Sequence, residues 1–210
     1  MAKLYFKFGA MGSSKTAQAL MTKFNYEEKD QSVWLIKPAT DTRDDFVGGD
    51  GKLHTVLRSR IGLFADAESV PADIDLYSEF ISRGNGKKYK DVVICDECQF
   101  LTGKQVEQLK DLADKQDVPA LCFGLRADFQ TKLFPGSMRL FEIADSITEI
   151  KSICRCGRKA TVNARFDDDG VIITEGSQIC LGGNDRYEGM CYKCYRALID
   201  EKERAEKEEK

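Results

Sequence analysis

Over the first 150 residues, short apolar runs alternate with longer amphipathic stretches. Leu4-Tyr5-Phe6-Lys7-Phe8, Val33-Trp34-Leu35-Ile36, Val92-Val93-Ile94-Cys95 and Ala120-Leu121-Cys122-Phe123 have the length and near-continuous apolar character of buried strands. Between them the spacing becomes helical. Ala17, Leu20, Met21 and Phe24 recur at i, i+3, i+4 and i+7, and Val106, Leu109 and Leu112 share one helical face. This alternation predicts an α/β fold, a mostly parallel sheet with helices on both faces. The segment from Thr40 to Asp73, with Gly48-Gly49-Asp50-Gly51 inside it, reads as a mobile loop around a short hairpin.

The pattern changes near residue 151. Ala160 to Phe166, the turn Asp167-Asp168-Asp169-Gly170 and Val171 to Thr174 read as a hairpin. Tyr195 to Lys210 reads as a helix whose charged tail is a solvated face with i,i+4 pairs. The expected organisation is a larger α/β domain over 1–150 and a small C-terminal subdomain over 151–210.

Composition narrows the function classes. The chain has 210 residues, 42% of them apolar, which is enough for a real core. Its net charge of −3 gives no global pull toward nucleic acid or an anionic membrane. Residues 151–210 hold 12 Lys+Arg against 12 Asp+Glu, so no basic stripe marks a nucleic-acid partner there. No apolar run approaches the ~18 residues of a membrane span, and the start lacks a long apolar segment. A cytoplasmic chain is expected, with its eight cysteines present as thiols or metal ligands.

The most informative stretch is Gly9-Ala10-Met11-Gly12-Ser13-Ser14-Lys15-Thr16, placed between the first strand and the first helix. Backbone N–H groups of such a loop wrap a β-phosphate, the lysine reaches the β/γ oxygens, and the threonine hydroxyl ligates Mg²⁺. This reading makes the fold P-loop NTPase-like and the ligand ATP or GTP. Ser14 stands where the usual pattern has its second glycine. It implies either ordinary backbone angles or about 1–3 kcal/mol of tolerated strain. The plainer alternative is a Gly/Ser turn with Lys15 solvated.

A second element agrees with the first. Val92 to Cys95 run directly into Asp96-Glu97, a buried strand ending in two carboxylates. In a parallel sheet that end lies where ligands collect. Asp96 is suited to Mg²⁺, leaving Glu97 for another role: activating water in an ATPase or taking a hydroxyl proton in a kinase. Spacing does not choose between these, and a pair capping the helix near Thr102 is the simpler account.

Cys154-Arg155-Cys156 and Cys191-Tyr192-Lys193-Cys194 are separated by 34 residues. Four thiolates at this spacing suit one structural Zn²⁺ in a zinc-ribbon-like unit, with no open position for catalysis. Two local disulfides or a redox pair are the competing readings. Cys95, Cys98, Cys122 and Cys180 lack partners and read as buried apolar residues. Between the cysteine pairs, Glu175 to Tyr187 is a glycine-bounded stretch suited to lie over a ligand.

Together, Gly9-x-Met11-x-Ser13-x-Lys15-Thr16, Asp41-Thr42-Arg43, Asp96-Glu97-Cys98-Gln99-Phe100, Gly124-Leu125-Arg126-Ala127-Asp128-Phe129 and Gly182-Gly183-x-x-x-Tyr187 resemble the zinc-containing, cytosolic type of thymidine kinase. The resemblance covers residues 3 to about 200. It implies transfer of the γ-phosphate of ATP to the 5′-hydroxyl of thymidine or deoxyuridine, with Glu97 as general base and Asp96 as Mg²⁺ partner. The ATP side it implies is Gly9, Ala10, Met11, Gly12, Ser13, Ser14, Lys15, Thr16, Asp41, Thr42, Arg43, Asp96 and Gln99. Phe100 and Phe129 are similar to the family's substrate-pocket aromatics, and core packing is the plainer role for Phe129 and Tyr187. Met11 and Leu125 resemble the residues around the 5-methyl group. Gln178, Ile179, Cys180, Leu181 and Gly182 match the loop that grips the pyrimidine through backbone groups, with Tyr187 as a side-chain contact. The resemblance further implies Zn²⁺ on Cys154, Cys156, Cys191 and Cys194, a homotetramer, and dTTP as a feedback inhibitor. Ser14 and the C-x-C spacing of the first cysteine pair depart from many relatives, the latter pointing to the bacterial and phage branch. A P-loop ATPase or GTPase switch with a structural zinc is the rival function, although a base-selecting N-K-x-D is absent. A zinc-ribbon nucleic-acid adaptor is the non-enzymatic one.

Overall fold

The computed structural model describes residues 1–49, 51–85, 89–178 and 187–208. β1 (Leu4–Phe8) passes through the Gly9–Ser14 loop into α1 (Lys15–Glu27) and then β2 (Val33–Pro38). Two antiparallel hairpins follow: β3 (Phe46–Val47) with β4 (Leu53–His54), and β5 (Val56–Arg58) with β6 (Phe64–Asp66). Next come β7 (Glu68–Val70), α2 (Leu76–Gly84), β8 (Val92–Cys95), α3 (Gly103–Gln116), β9 (Ala120–Gly124), α4 (Pro135–Ile143) and β10 (Ser146–Glu149).

Among the described residues, six strands form one sheet in the order β10-β1-β9-β8-β2-β7, and each pairing is parallel. The period of two along each strand divides the core. Leu4, Phe6, Trp34, Ile36, Val93, Cys95, Ala120 and Cys122 pack on the face covered by α2, α3 and α4. Leu35, Val92, Ile94, Leu121 and Phe123 pack on the other face, against Ala19 and Leu20 of α1 and Leu57 of β5. Strands buried on both faces explain the near-continuous apolar runs. β1 and β8 flank β9, so the loop after β1 and the carboxylates after β8 emerge at the same sheet edge.

The predicted face of α1 is only partly buried, and one local expectation is corrected. Met21 and Phe24 are more than half exposed. α1 closes on the sheet through the smaller Ala17 and Ala19 together with Leu20, so its longer apolar residues remain outside the contact. Among the described residues, Thr40 to Asp73 holds two hairpins and the edge strand β7 rather than one hairpin. Buried Lys37 ties it down, donating to the Val56 carbonyl at 3.2 Å and pairing with Asp45 at 2.8 Å.

Beyond residue 150, β11 (Ser152–Ile153) pairs with β12 (Lys159–Ala160). β13 (Val162–Phe166) lies between β14 (Ile172–Ile173) and β15 (Tyr187–Met190). The anticipated hairpin is present, with Thr161 dividing its first arm and only two residues pairing in its second. α5 (Tyr192–Glu208) begins three residues before the expected start and thus includes Cys194. Val162, Ala164, Met190, Tyr195 and Ile199 form the core here, and Ala10 of the first loop is part of the same cluster.

Candidate active site

The loop after β1 is shaped by tight packing. A Cβ on Gly9 would lie 2.4 Å from Ser13 Oγ and 2.5 Å from the Ile150 carbonyl, so no side chain fits. Ser14, the N-cap of α1, has φ 61° and no side-chain capping bond. Of the two alternatives open to this serine, it adopts the strained one. Lys15 is buried, and its Nζ donates to the carbonyls of Ala10 (2.9 Å) and Gly9 (3.3 Å) and to Ser13 Oγ (3.4 Å). Burial lowers the pKa of this ammonium while Glu97 and Asp96 pull it back up.

Asp96 and Glu97 face that loop across a cavity lined by Met11 to Ala17, Asp41, Arg43 and Asp44. Asp96 is buried, and neither of its oxygens closes a hydrogen bond of normal geometry among the described residues. Burial, and then the charge of Glu97, push its pKa up to about 7, with Thr16 opposing. An orphaned buried carboxylate beside a threonine hydroxyl is a donor set that fits Mg²⁺.

Glu97 is held in a left-handed conformation with φ 51°. One of its oxygens accepts from Arg43 Nη2 and the other from Gln99 Nε2. Arg43 also donates from Nε to Asp41 at 2.6 Å. Burial works against the charge of Arg43, but Glu97 and Asp41 more than offset it and hold its pKa above the usual arginine range. Gln99 sits behind the cavity, and its Oε1 accepts the Leu125 amide at 3.0 Å. Thr42 is exposed and does not line the cavity.

Of the described residues expected on the substrate side, Met11 lines that cavity, and Phe100, Leu125, Phe129, Gln178 and Tyr187 are not among its lining. Phe129 is 1% exposed, with the Arg165 guanidinium 5.4 Å above its ring and 5.9 Å from that of Tyr187. Phe100 packs edge-on against Phe134 at 5.6 Å. Gln178 donates to Asp128 at 2.9 Å. Ile179, Cys180, Leu181 and Gly182 lie outside the described residues.

Asn163 escaped the sequence reading. This buried residue accepts the Met11 amide at 2.8 Å and donates to the Ala127 carbonyl at 2.9 Å. It thereby ties the loop after β1 to the segment carrying Leu125 and Phe129. The available signal was an amide between apolar Val162 and Ala164 in a predicted strand. Gly189 adds a second tie, since a Cβ there would lie 2.5 Å from the Met11 carbonyl.

The Sγ atoms of Cys154, Cys156, Cys191 and Cys194 all lie within 4.8 Å of one another. Cys156 and Cys191, one from each pair, are 3.6 Å apart, close to the ~3.8 Å between sulfurs of a tetrahedral zinc site with Zn–S of about 2.3 Å. One group of four thiols suits a zinc ion better than two local disulfides. The Cys194 amide draws the Cys191 thiol down to about 6, while partner thiols push Cys194 up to about 12.

Comparison with known proteins agrees with this arrangement. The family model described as thymidine kinase matches residues 2–195. The thymidine kinase of Vibrio vulnificus is 42% identical over 199 residues, covering 95% of this chain and 99% of that one. That of Novosphingobium aromaticivorans is 44% identical over 191 residues, covering 91% and 95%. That of Photorhabdus laumondii is 40% identical over 201 residues, covering 96% of each. With a match extending from the first strand into α5, the chain belongs to the thymidine kinase family.

Proposed function

We propose that this chain transfers the γ-phosphoryl group of ATP to the 5′-hydroxyl of thymidine, and of deoxyuridine, with Glu97 as the general base. The observation that carries this reading is the shared cavity of Lys15, Thr16, Asp96 and Glu97. It pairs a phosphate loop with a metal-suited carboxylate and a second carboxylate, Glu97, suited to take a proton once it gives up a present partner. Gly9 to Thr16, Asp41 to Arg43, Asp96 and Gln99 hold the nucleotide. Mg²⁺, when bound at Asp96 and Thr16, neutralises charge on the transferring phosphoryl group.

Lys15 leaves its loop carbonyls to reach phosphate oxygens. Glu97 must exchange Arg43 or Gln99 for the substrate hydroxyl, because both its oxygens are already engaged. The proton then passes from that hydroxyl to Glu97 as the hydroxyl oxygen bonds to the γ-phosphorus and the bond to the β–γ bridging oxygen breaks, releasing ADP. Phe100, Phe129, Leu125, Met11 and Tyr187 form the pyrimidine side, with the segment from Gln178 to Gly182 reading the base edge. A flat base held by aromatics and read along its edge suits a pyrimidine. In this reading residues 1–150 carry the nucleotide half and residues 151–210 the zinc-pinned substrate loop. A cytoplasmic homotetramer inhibited by dTTP completes the proposal; among the described residues no helix is long and apolar enough to cross a membrane.

A coupled assay with ATP, Mg²⁺ and thymidine tests this directly. ADP release should depend on thymidine and yield dTMP. ATP turnover unchanged by thymidine would sink the kinase reading in favour of an ATPase.

A further inference from the structure

We infer that Arg60, presented by the turn between β5 and β6, binds the polyphosphate of the nucleotide. The inference rests on the ATP reading above for the identity of the anion. Leu57 to Ile61 form one wall of the cavity that holds Lys15, Thr16, Asp96 and Glu97. Neither the glycine-containing loop nor the β8 carboxylates account for this wall.

Charge shows why it matters. Asp41, Asp44, Asp96 and Glu97 place four carboxylates on the lining, against Lys15 and Arg43. Arg43 is already held between Asp41 and Glu97. A nucleoside triphosphate adds about four negative charges, and a bound Mg²⁺ offsets about two. Without another cation the polyphosphate would meet an excess of like charge. Arg58 and Arg60 bring the cations of the lining level with its carboxylates.

The two arginines differ in availability. Arg58 lies over the Phe64 ring at 5.6 Å. Arg60 is exposed and makes no hydrogen bond or ion pair among the described residues. Its backbone, in contrast, is well fixed. Ser59 N donates to the Leu63 carbonyl (2.8 Å), Ser59 Oγ donates to the same carbonyl (3.1 Å), Leu63 N donates to Ser59 Oγ (2.9 Å), and Gly62 N donates to the Ser59 carbonyl (3.1 Å). Gly62, with φ 88°, supplies the left-handed corner the turn requires. Leu57 anchors the hairpin in the core beneath α1. A cation without a partner on a pinned turn, facing a phosphate loop, is placed to bind an anion at small ordering cost.

The test compares binding of ATP and AMP by the full chain and by Arg60→Ala, Arg60→Lys and Lys15→Ala. Arg60→Ala should weaken ATP about 10- to 100-fold, the range for a charge-assisted hydrogen bond, and AMP less than about twofold. Arg60→Lys should recover part of the loss. The melting temperature should stay within about a degree, since exposed Arg60 supports no contact. If Lys15→Ala loses ATP while Arg60→Ala binds it normally, Arg60 is a solvated surface residue and the inference is overturned. Equal weakening of ATP and AMP also overturns it. Normal ATP binding by Lys15→Ala rejects the loop reading itself, and this inference with it.

Discussion

Six non-glycine residues among those described have positive φ, and two of them, Ser14 and Glu97, face each other across the cavity. Each stores about 1–3 kcal/mol of backbone strain. At Ser14 the strain is a property of the residue type. Ser14→Gly should therefore raise stability by about 0.5–1 kcal/mol, part of the gain being returned through a more flexible unfolded chain. It should also tighten ATP binding, and an unchanged Kd and melting temperature would show that the serine is accommodated freely. At Glu97 the strain accompanies a carboxylate held by Arg43 and Gln99. Glu97→Gln should cut turnover about 10²–10⁴-fold while ATP still binds, and near-normal turnover would reject its role as base. The residue types at both positions were legible along the chain. Their backbone angles were not, because those depend on packing around the loop and the strand end.

At the scale of elements, β13 links the loop after β1 to the Leu125–Phe129 segment through the Asn163 side chain. Removing the Asn163 amide leaves the Met11 N–H and the Ala127 carbonyl without their partners. Asn163→Ala should cost about 1–3 kcal/mol for each buried group left unpaired, and lower the melting temperature by several degrees. It should raise KM for thymidine and ATP together, because the loop and the Leu125–Phe129 segment lose a common tie. Unchanged KM values for both substrates would make Asn163 purely structural. Elements were read unevenly. The four central strands and α3 stood out because their apolar positions follow one period without interruption. Periodicity places Met21 and Phe24 on one face of α1 with Ala17 and Leu20 but carries no record of the depth of contact, and both are exposed. The β5–β6 hairpin has three-residue strands too short for any period to emerge, and it is held by buried Lys37 and core Leu57.

Across the whole molecule, the cysteine cluster joins the β11–β12 turn to the start of α5, and β15, which leads into α5, abuts the Met11 carbonyl. Purified protein should carry about one zinc per chain by metal analysis. Cys191→Ser should lose the metal and melt at lower temperature; a native preparation free of zinc removes the site. The sequence by itself determined the parallel α/β class, the glycine-containing loop after β1, the Asp96-Glu97 pair and the four cysteines. Each of those is a local pattern of residue types at fixed spacing. Only the tertiary structure decided that the loop and the carboxylates share one cavity and that Arg43 engages Glu97. It alone placed Asn163 between that loop and the Leu125–Phe129 segment, and Arg60 on the cavity wall. Those relations join residues tens to more than a hundred positions apart, and strand order and side-chain packing create such proximity where spacing along the chain carries no record of it.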